Sequence, residues 1–141
     1  VPVVGAVAIP ALNLTFSTCN DFSQIYQTTE YEKVRIAVSR SRPPVEASLV
    51  AERLNGELIE MGSAGAKAMA VVRGKADMYI HSGGQYEWDN CAPAAVAFAA
   101  GLHASRLDGS PLTYNNPDPW LPDLLICNPV LAGPVLEILN S

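Results

Sequence analysis

Positive charge is scarce in this chain: nine Lys and Arg stand against fourteen Asp and Glu, for a net charge of −5 and a pI near 4.9. A chain without a basic field cannot neutralise a run of nucleic-acid phosphates, so a polymeric nucleic-acid partner is excluded. Any phosphate it holds belongs to a small metabolite neutralised by a few local cations or a metal. Cysteine is also sparse. Cys19, Cys91 and Cys127 are odd in number, widely spaced and without a Cys-x-x-Cys pair, which argues against a disulfide framework or a zinc site and for a reducing cytoplasm. No apolar run reaches the roughly eighteen residues of a membrane span, and Val1-Pro2-Val3-Val4 lacks the charged start of a secretory signal. The first residue is valine, and we read the chain as part of a longer protein. What is present is 141 residues with 49% hydrophobic content, about one domain's worth with material for a real core.

Val3 to Pro10 is an apolar β-type run and Leu12 to Thr18 alternates, which predicts an antiparallel hairpin across a turn at Pro10-Ala11. Residues 19 to 33 are polar and mixed, a connector with a short strand near Phe22 to Gln27, and a boundary is expected near residue 32. Strand and helix patterns then alternate, the mark of a layered α/β domain with helices covering a largely parallel sheet. Strands are expected at Val34 to Ser39, Glu57 to Met61, Asp77 to His81 and Leu124 to Cys127. Helices are expected at Val45 to Leu54, Ala64 to Arg73, Asn90 to Gly101 and Val130 to Leu139. The alanines between Ala92 and Ala100 suit a helix buried at close range, with Pro93 in its first turn. Asp108-Gly109 between short extended runs predicts a second hairpin, His103 to Leu107 with Pro111 to Tyr114, followed by a loop over 115 to 123. No internal repeat or low-complexity tract is evident.

Three strand-to-helix corners carry chemistry-bearing residues. Ser39-Arg40-Ser41-Arg42 leaves a strand at its carboxyl end, where open α/β sheets place ligands and where arginine forks suit phosphate oxygens. The plainer alternative is a solvated loop. Gly62-Ser63-Ala64-Gly65-Ala66-Lys67 offers backbone donors, a hydroxyl and an ammonium to an anion, although without the spacing of a P-loop. Asp89, at the end of Gly83-Gly84-Gln85-Tyr86-Glu87-Trp88-Asp89, would face the positive end of the alanine-rich helix, and a carboxylate there can hold a divalent metal against a bound phosphate. Its plainer alternative is an N-cap. All three corners point toward one sheet edge, which allows them to converge on one phosphorylated ligand.

In order and spacing, Gly62 to Lys67, Val71-Val72-Arg73-Gly74-Lys75-Ala76-Asp77-Met78-Tyr79 and Glu87-Trp88-Asp89-Asn90-Cys91-Ala92-Pro93 resemble the carboxyl-terminal half of the inositol monophosphatase-like superfamily. Within it, Gly83 to Asp89 and His103 to Leu112 look most like the actinobacterial 3′-phosphoadenosine 5′-phosphate phosphatases of sulfate assimilation. The resemblance covers nearly the whole chain. It implies an α/β (α+β overall) sandwich of the sugar-phosphatase type, with residues 1–32 ending the amino-terminal metal-site domain and 33–141 forming the substrate-binding domain.

By the same resemblance, Asp89 ligates a catalytic Mg2+, while Ser39, Ser41, Ser63 and Lys67, with Arg40 and Arg73 beside them, line the nucleotide or its non-scissile phosphate. His81 matches a substrate-near position in inositol-specific relatives, against the ordinary reading of a structural histidine, and His103 is read as structural. The family's other metal ligands, a Glu and an Asp-Pro-Ile/Leu-Asp-Gly-Thr motif, have no equivalent here. Asp108-Gly109-Ser110 and Asn116-Pro117-Asp118-Pro119 lie downstream and cannot replace that motif. The implied activity of the complete protein is Mg2+-dependent hydrolysis of 3′-phosphoadenosine 5′-phosphate to AMP and phosphate, extending to inositol or fructose phosphates, in the cytoplasm and as a possible homodimer. The 141-residue chain itself is expected to be inactive. The competing expectation is a non-catalytic nucleotide- or phosphate-binding remnant.

Overall fold

A computed structural model describes residues 1–23 and 33–141. The short strand expected near Phe22 to Gln27 lies mostly outside the described residues, as does the boundary near residue 32. The first hairpin is present, as β1 (Ala6–Ile9) and β2 (Leu14–Ser17) in antiparallel register. Its connection is longer than a tight turn. A 3-10 turn over Pro10–Leu12 is closed by Asn13 in the left-handed region at φ 52°, whose N–H donates to the Pro10 carbonyl.

The main sheet has five strands in the order β4 (Gly56–Met61), β3 (Val34–Ser39), β5 (Met78–Tyr86), β7 (Trp120–Cys127), β6 (His103–Ser105). β3 runs parallel to β4 and β5, but β7 is antiparallel to both β5 and β6. The sheet is therefore mixed, a correction to the largely parallel one expected. Side-chain alternation sorts the strands into two faces. Ala37, Tyr79, Leu124 and Ile126 face one cluster, with α2 (Ala64–Val72), α3 (Glu87–Ala99) and the apolar side of the hairpin. Ile36, Val38, Met78, Ile80 and Leu125 face the other, with α1 (Val45–Arg53) and α4 (Pro129–Leu139). Each large apolar side chain buried in these layers contributes roughly 1.5–3 kcal/mol.

The alanines of α3 let the hairpin come close: a Cβ placed on Gly5 would lie 3.0 Å from the Ala95 Cβ. Two expectations fail downstream. The Asp108-Gly109 turn forms, with the Arg106 N–H donating to the Ser110 carbonyl, but Pro111 to Tyr114 is not a strand. The partner of β6 is β7, which reaches back to Trp120, four residues before the expected start. Pairing with β7 gives β6 a place on a buried sheet edge, which a short local hairpin rich in Pro and Asn would not. The glycine stretch after the third strand is likewise not a free loop. β5 continues through Gly83 and Gly84, at φ 90° and 98°, as an irregularity that shifts the register between Ser82 and Gln85.

Candidate functional site

Each expected corner sits where a strand of the main sheet gives way to a helix. At the end of β3, Ser39 Oγ accepts the Arg42 N–H at 3.2 Å and lies 3.3 Å from Ser41 Oγ, which ties the loop into a compact turn. At the end of β4, Ser63 is the N-cap of α2, and its Oγ accepts the Ala66 N–H at 3.2 Å. One turn inside α2, Lys67 is only 4% exposed. Its ammonium donates to the Met61 carbonyl at 3.3 Å and stands 5.4 Å from the centre of the Tyr79 ring. Burial first, and the positive charge of Arg40 second, hold Lys67 below the ordinary lysine range. An anion beside it would relieve both effects.

The third corner differs from its sequence reading. α3 begins at Glu87, so Asp89 stands inside the first turn as its third residue and not ahead of it. There Asp89 Oδ2 accepts the Tyr86 N–H at 2.8 Å, a capping contact that leaves the other carboxylate oxygen without a partner among the described residues. Glu87 is committed elsewhere: its carboxylate accepts the N–H groups of Asn115 and Asn116, each at 2.9 Å, and fixes the loop before β7. These bonds, Asn116's first, hold the Glu87 carboxyl below its usual range.

The corners meet around a cavity of about 200 Å3. Ser39 and Arg42 come from the first corner, Ala64 and Lys67 from the second, and Gly84, Gln85 and Asp89 from the third, while Tyr79 and His81 of β5 complete it. Of the expected site residues, Ser39, Lys67 and Asp89 are therefore brought together. Arg40 and Ser41 lie in the adjoining exposed loop and Ser63 is engaged as a cap, so none of these three lines the cavity. Arg73 is not brought there at all: it is the C-cap of α2, at the helix end opposite Ser63. His81 does line the cavity, but its ring is held by the bulge. A carbonyl can only accept, so the Nε2–H donates to the Gly84 oxygen at 2.8 Å and Nδ1 is left buried without a partner among the described residues. Burial holds His81 below its ordinary pKa, which favours the neutral ring at pH 7. His103, on β6, donates instead to Ser105 Oγ at 2.8 Å and is not in the cavity. Asp108 serves its own turn, accepting the Ser110 N–H at 2.8 Å.

Sequence reasoning missed the cavity's neutral floor. Tyr114 donates its hydroxyl to Asn90 Oδ1 at 2.8 Å, Asn90 Nδ2 donates to Gln85 Oε1 at 3.0 Å, and Gln85 Nε2 donates to the Tyr79 hydroxyl at 2.8 Å. Asn90 is fully buried and Gln85 is 7% exposed, so this chain of hydrogen bonds is internal and sets the positions of Tyr79 and Gln85. Tyr79 could have been found by counting two residues back from His81 on the strand. Gln85 could not, because Gly83-Gly84 reads as a loop in the sequence, and only the continuation of β5 through it carries the two-residue alternation from His81 on to Gln85.

Magnesium takes about six oxygen ligands in near-octahedral array. Among the described residues no group of three or more His, Cys, Asp or Glu could hold a metal ion, and one oxygen of Asp89 is already engaged. The described residues do not make a magnesium site by themselves, although Asp89 can lend one oxygen to a site completed by other groups.

A mixed five-stranded sheet between helices, with strand-to-helix corners converging on a cavity lined by Lys67 and Arg42, defines a layered α/β domain. The sequence matches the inositol monophosphatase family over residues 1–137, and the chain belongs to that family. It is 49% identical over 137 residues to the 3′-phosphoadenosine 5′-phosphate phosphatase of Mycobacterium bovis, covering 94% of this chain and 51% of that protein. The structure is similar to the IMPase of Thermotoga maritima, with a TM-score of 0.74 and 18% identity over 97% of this chain and 55% of that one. It is also similar to an IMPase/NADP phosphatase complexed with Mg2+ and phosphate, with a TM-score of 0.66 and 20% identity over 90% of this chain and 46% of that one. The chain thus spans about half the length of the relatives it matches.

Proposed function

We propose that this chain is the carboxyl-terminal part of a Mg2+-dependent phosphomonoesterase that hydrolyses 3′-phosphoadenosine 5′-phosphate to AMP and phosphate, a reaction serving sulfate assimilation in the cytoplasm. The observation that carries the reading is the convergence of three helix-headed corners on one cavity, which Ser39, Arg42, Lys67 and Asp89 line together. The similarity to a named 3′-phosphoadenosine 5′-phosphate phosphatase supplies the substrate. Inositol and fructose phosphates present the same phosphomonoester chemistry and are secondary candidates.

In this reading the hydroxyl of Ser39, the guanidinium of Arg42 and the ammonium of Lys67 bind the phosphate that does not react, and Arg40, Ser41 and Ser63 shape the loops that present them. Arg73 has no part in it. Residues 33–141 are the substrate-binding domain, and residues 1–32 end a domain that supplies the remaining metal ligands. Asp89 is this portion's contribution to the Mg2+ site, and the ion supplies the activation of water and the stabilisation of the leaving oxygen. On its own the chain is inactive.

A second reading, a nucleotide- or phosphate-binding remnant without catalysis, is favoured by one observation: the described residues contain no group of acidic side chains able to hold a metal. The two separate in a protein extended at its amino terminus. There Asp89→Asn should abolish Mg2+-dependent turnover and leave folding intact, since asparagine can still accept the Tyr86 N–H. Lys67→Ala should chiefly raise KM, because a contact away from the reacting centre contributes mostly uniform binding. Unchanged turnover in Asp89→Asn would remove its ligand role.

A further inference from the structure

The hydrogen-bonded chain at the cavity floor has a direction, which the phosphate reading does not use. Asn90 Oδ1 can only accept, so Tyr114 gives its proton to it. The Asn90 amide nitrogen can only donate, so Gln85 Oε1 accepts, and the Gln85 amide nitrogen donates in turn to the Tyr79 oxygen. All three donations run one way, from Tyr114 toward the cavity. The last hydroxyl in the series therefore keeps its own proton, which has no acceptor among the described residues. Tyr79 is fully buried and lines the cavity. A buried donor left without an acceptor is costly, and a ligand in the cavity can supply one.

Charge indicates which acceptor. Lys67 and Arg42 line the same cavity and draw an anion into it, and the Lys67 ammonium stands 5.4 Å from the centre of the Tyr79 ring. Burial, the largest effect on Tyr79, raises its hydroxyl above the ordinary tyrosine range, so it stays neutral and keeps a proton to donate. We propose that Tyr79 donates its hydroxyl proton to an oxygen of the phosphate in the cavity, and that Tyr114, which does not line the cavity, is a positioning residue that fixes the direction of the relay through Asn90 and Gln85. Without the Tyr114 hydroxyl, Asn90 loses its partner on that side and the two amides are free to turn over. Tyr79 would then donate to Gln85 and meet the anion with a lone pair. The inference rests on the phosphate-binding reading of the cavity and deepens it, because it adds a neutral donor and a distant residue that controls it.

The test is calorimetric titration of the 141-residue chain with inorganic phosphate, with urea denaturation on the same samples. Tyr79→Phe keeps the ring near Lys67 and should lower phosphate affinity about tenfold or more, the scale of a hydrogen bond to a charged group. Tyr114→Phe should lower it about threefold or more, as expected for coupling within one hydrogen-bond network. The double variant should bind no more weakly than Tyr79→Phe alone, because without a hydroxyl on residue 79 no direction is left to lose. Losses that multiply in the double variant, or unaltered affinity in Tyr114→Phe, would make Tyr114 structural and overturn the relay. Unaltered affinity in Tyr79→Phe would overturn the donor and leave the cavity reading standing. If Tyr79→Phe does not fold, Tyr114→Phe decides alone, by the same threefold loss or its absence. Wild-type chain that binds no phosphate would overturn both the inference and the cavity reading.

Discussion

Lys67→Met should move binding and stability in opposite directions. Wild-type Lys67 is 4% exposed, yet its ammonium's hydrogen bond within the protein is a 3.3 Å contact to the Met61 carbonyl. That carbonyl also accepts the Arg40 N–H at 3.2 Å, so it stays satisfied when the lysine is removed. Methionine fills a similar volume over the Tyr79 ring and ends the cost of burying a charge, against the loss of one hydrogen bond and one cation–π contact of about 0.5–1 kcal/mol each. Folding stability should therefore stay within about 1 kcal/mol of wild type and fall on the stabilising side. Binding should respond the other way. A unit charge about 4 Å from a phosphate is worth about 4 kcal/mol at an effective dielectric of 20. Screening by water and by Arg42 leaves roughly half, or about a thirtyfold loss of affinity. Urea denaturation and phosphate calorimetry on the same samples test both halves. Unaltered phosphate affinity, or a stability loss above about 2 kcal/mol, would make Lys67 a structural residue and refute the reasoning.

Asn90→Leu should cost about 2–4 kcal/mol of stability, because it leaves the buried Gln85 Oε1 and the Tyr114 hydroxyl unpaired. Tyr114→Phe, which removes one link at the partly exposed end, should cost about 1 kcal/mol by the same denaturation assay. Gly84→Ala should cost about 1–3 kcal/mol and shift tryptophan emission, since φ is 98° and the new Cβ would meet the Trp120 indole at 2.6 Å. Burial holds both His81 and His103 below the ordinary value of 6.5. The unfolded chain therefore binds more protons than the folded one just below that pH. Stability should be full above the ordinary histidine value and fall as pH drops through it toward the folded values. Thermal melts between about pH 7.5 and 5.5 should show that fall, and His81→Gln, whose amide can still donate to the Gly84 carbonyl, should flatten roughly half of it.

Much of the fold was legible in local pattern. β3 ends where its apolar run ends, at Ser39, and α2 starts at the Ser63 cap, because capping and hydrophobic period are both local signals. The corners could be placed for the same reason. What could not be read depends on pairing between distant segments. The antiparallel insertion of β7 between β5 and β6 joins residues twenty or more apart, and nothing near Asp108-Gly109 announces it. Gly83-Gly84 resembles loop punctuation in sequence, yet β7 pairs on both sides of it and turns it into a bulge within β5. That stretch decides the site's details: it carries β5 on to Gln85, whose amide meets the Tyr79 hydroxyl, and gives His81 its carbonyl partner at Gly84. Arg73 could not be placed from its motif for a related reason, since the nine-residue α2 separates it from the Ser63 corner.

The most direct test of the central claim is Mg2+-dependent phosphate release from 3′-phosphoadenosine 5′-phosphate, run side by side on the 141-residue chain and on a protein extended at its amino terminus. Release by the extended protein alone, lost in Asp89→Asn, is the predicted result, and it would make Asp89 one ligand of a metal site completed from outside this chain. Release by neither would contradict the phosphatase reading in favour of a binding remnant, and release by the short chain would contradict the account of its metal site.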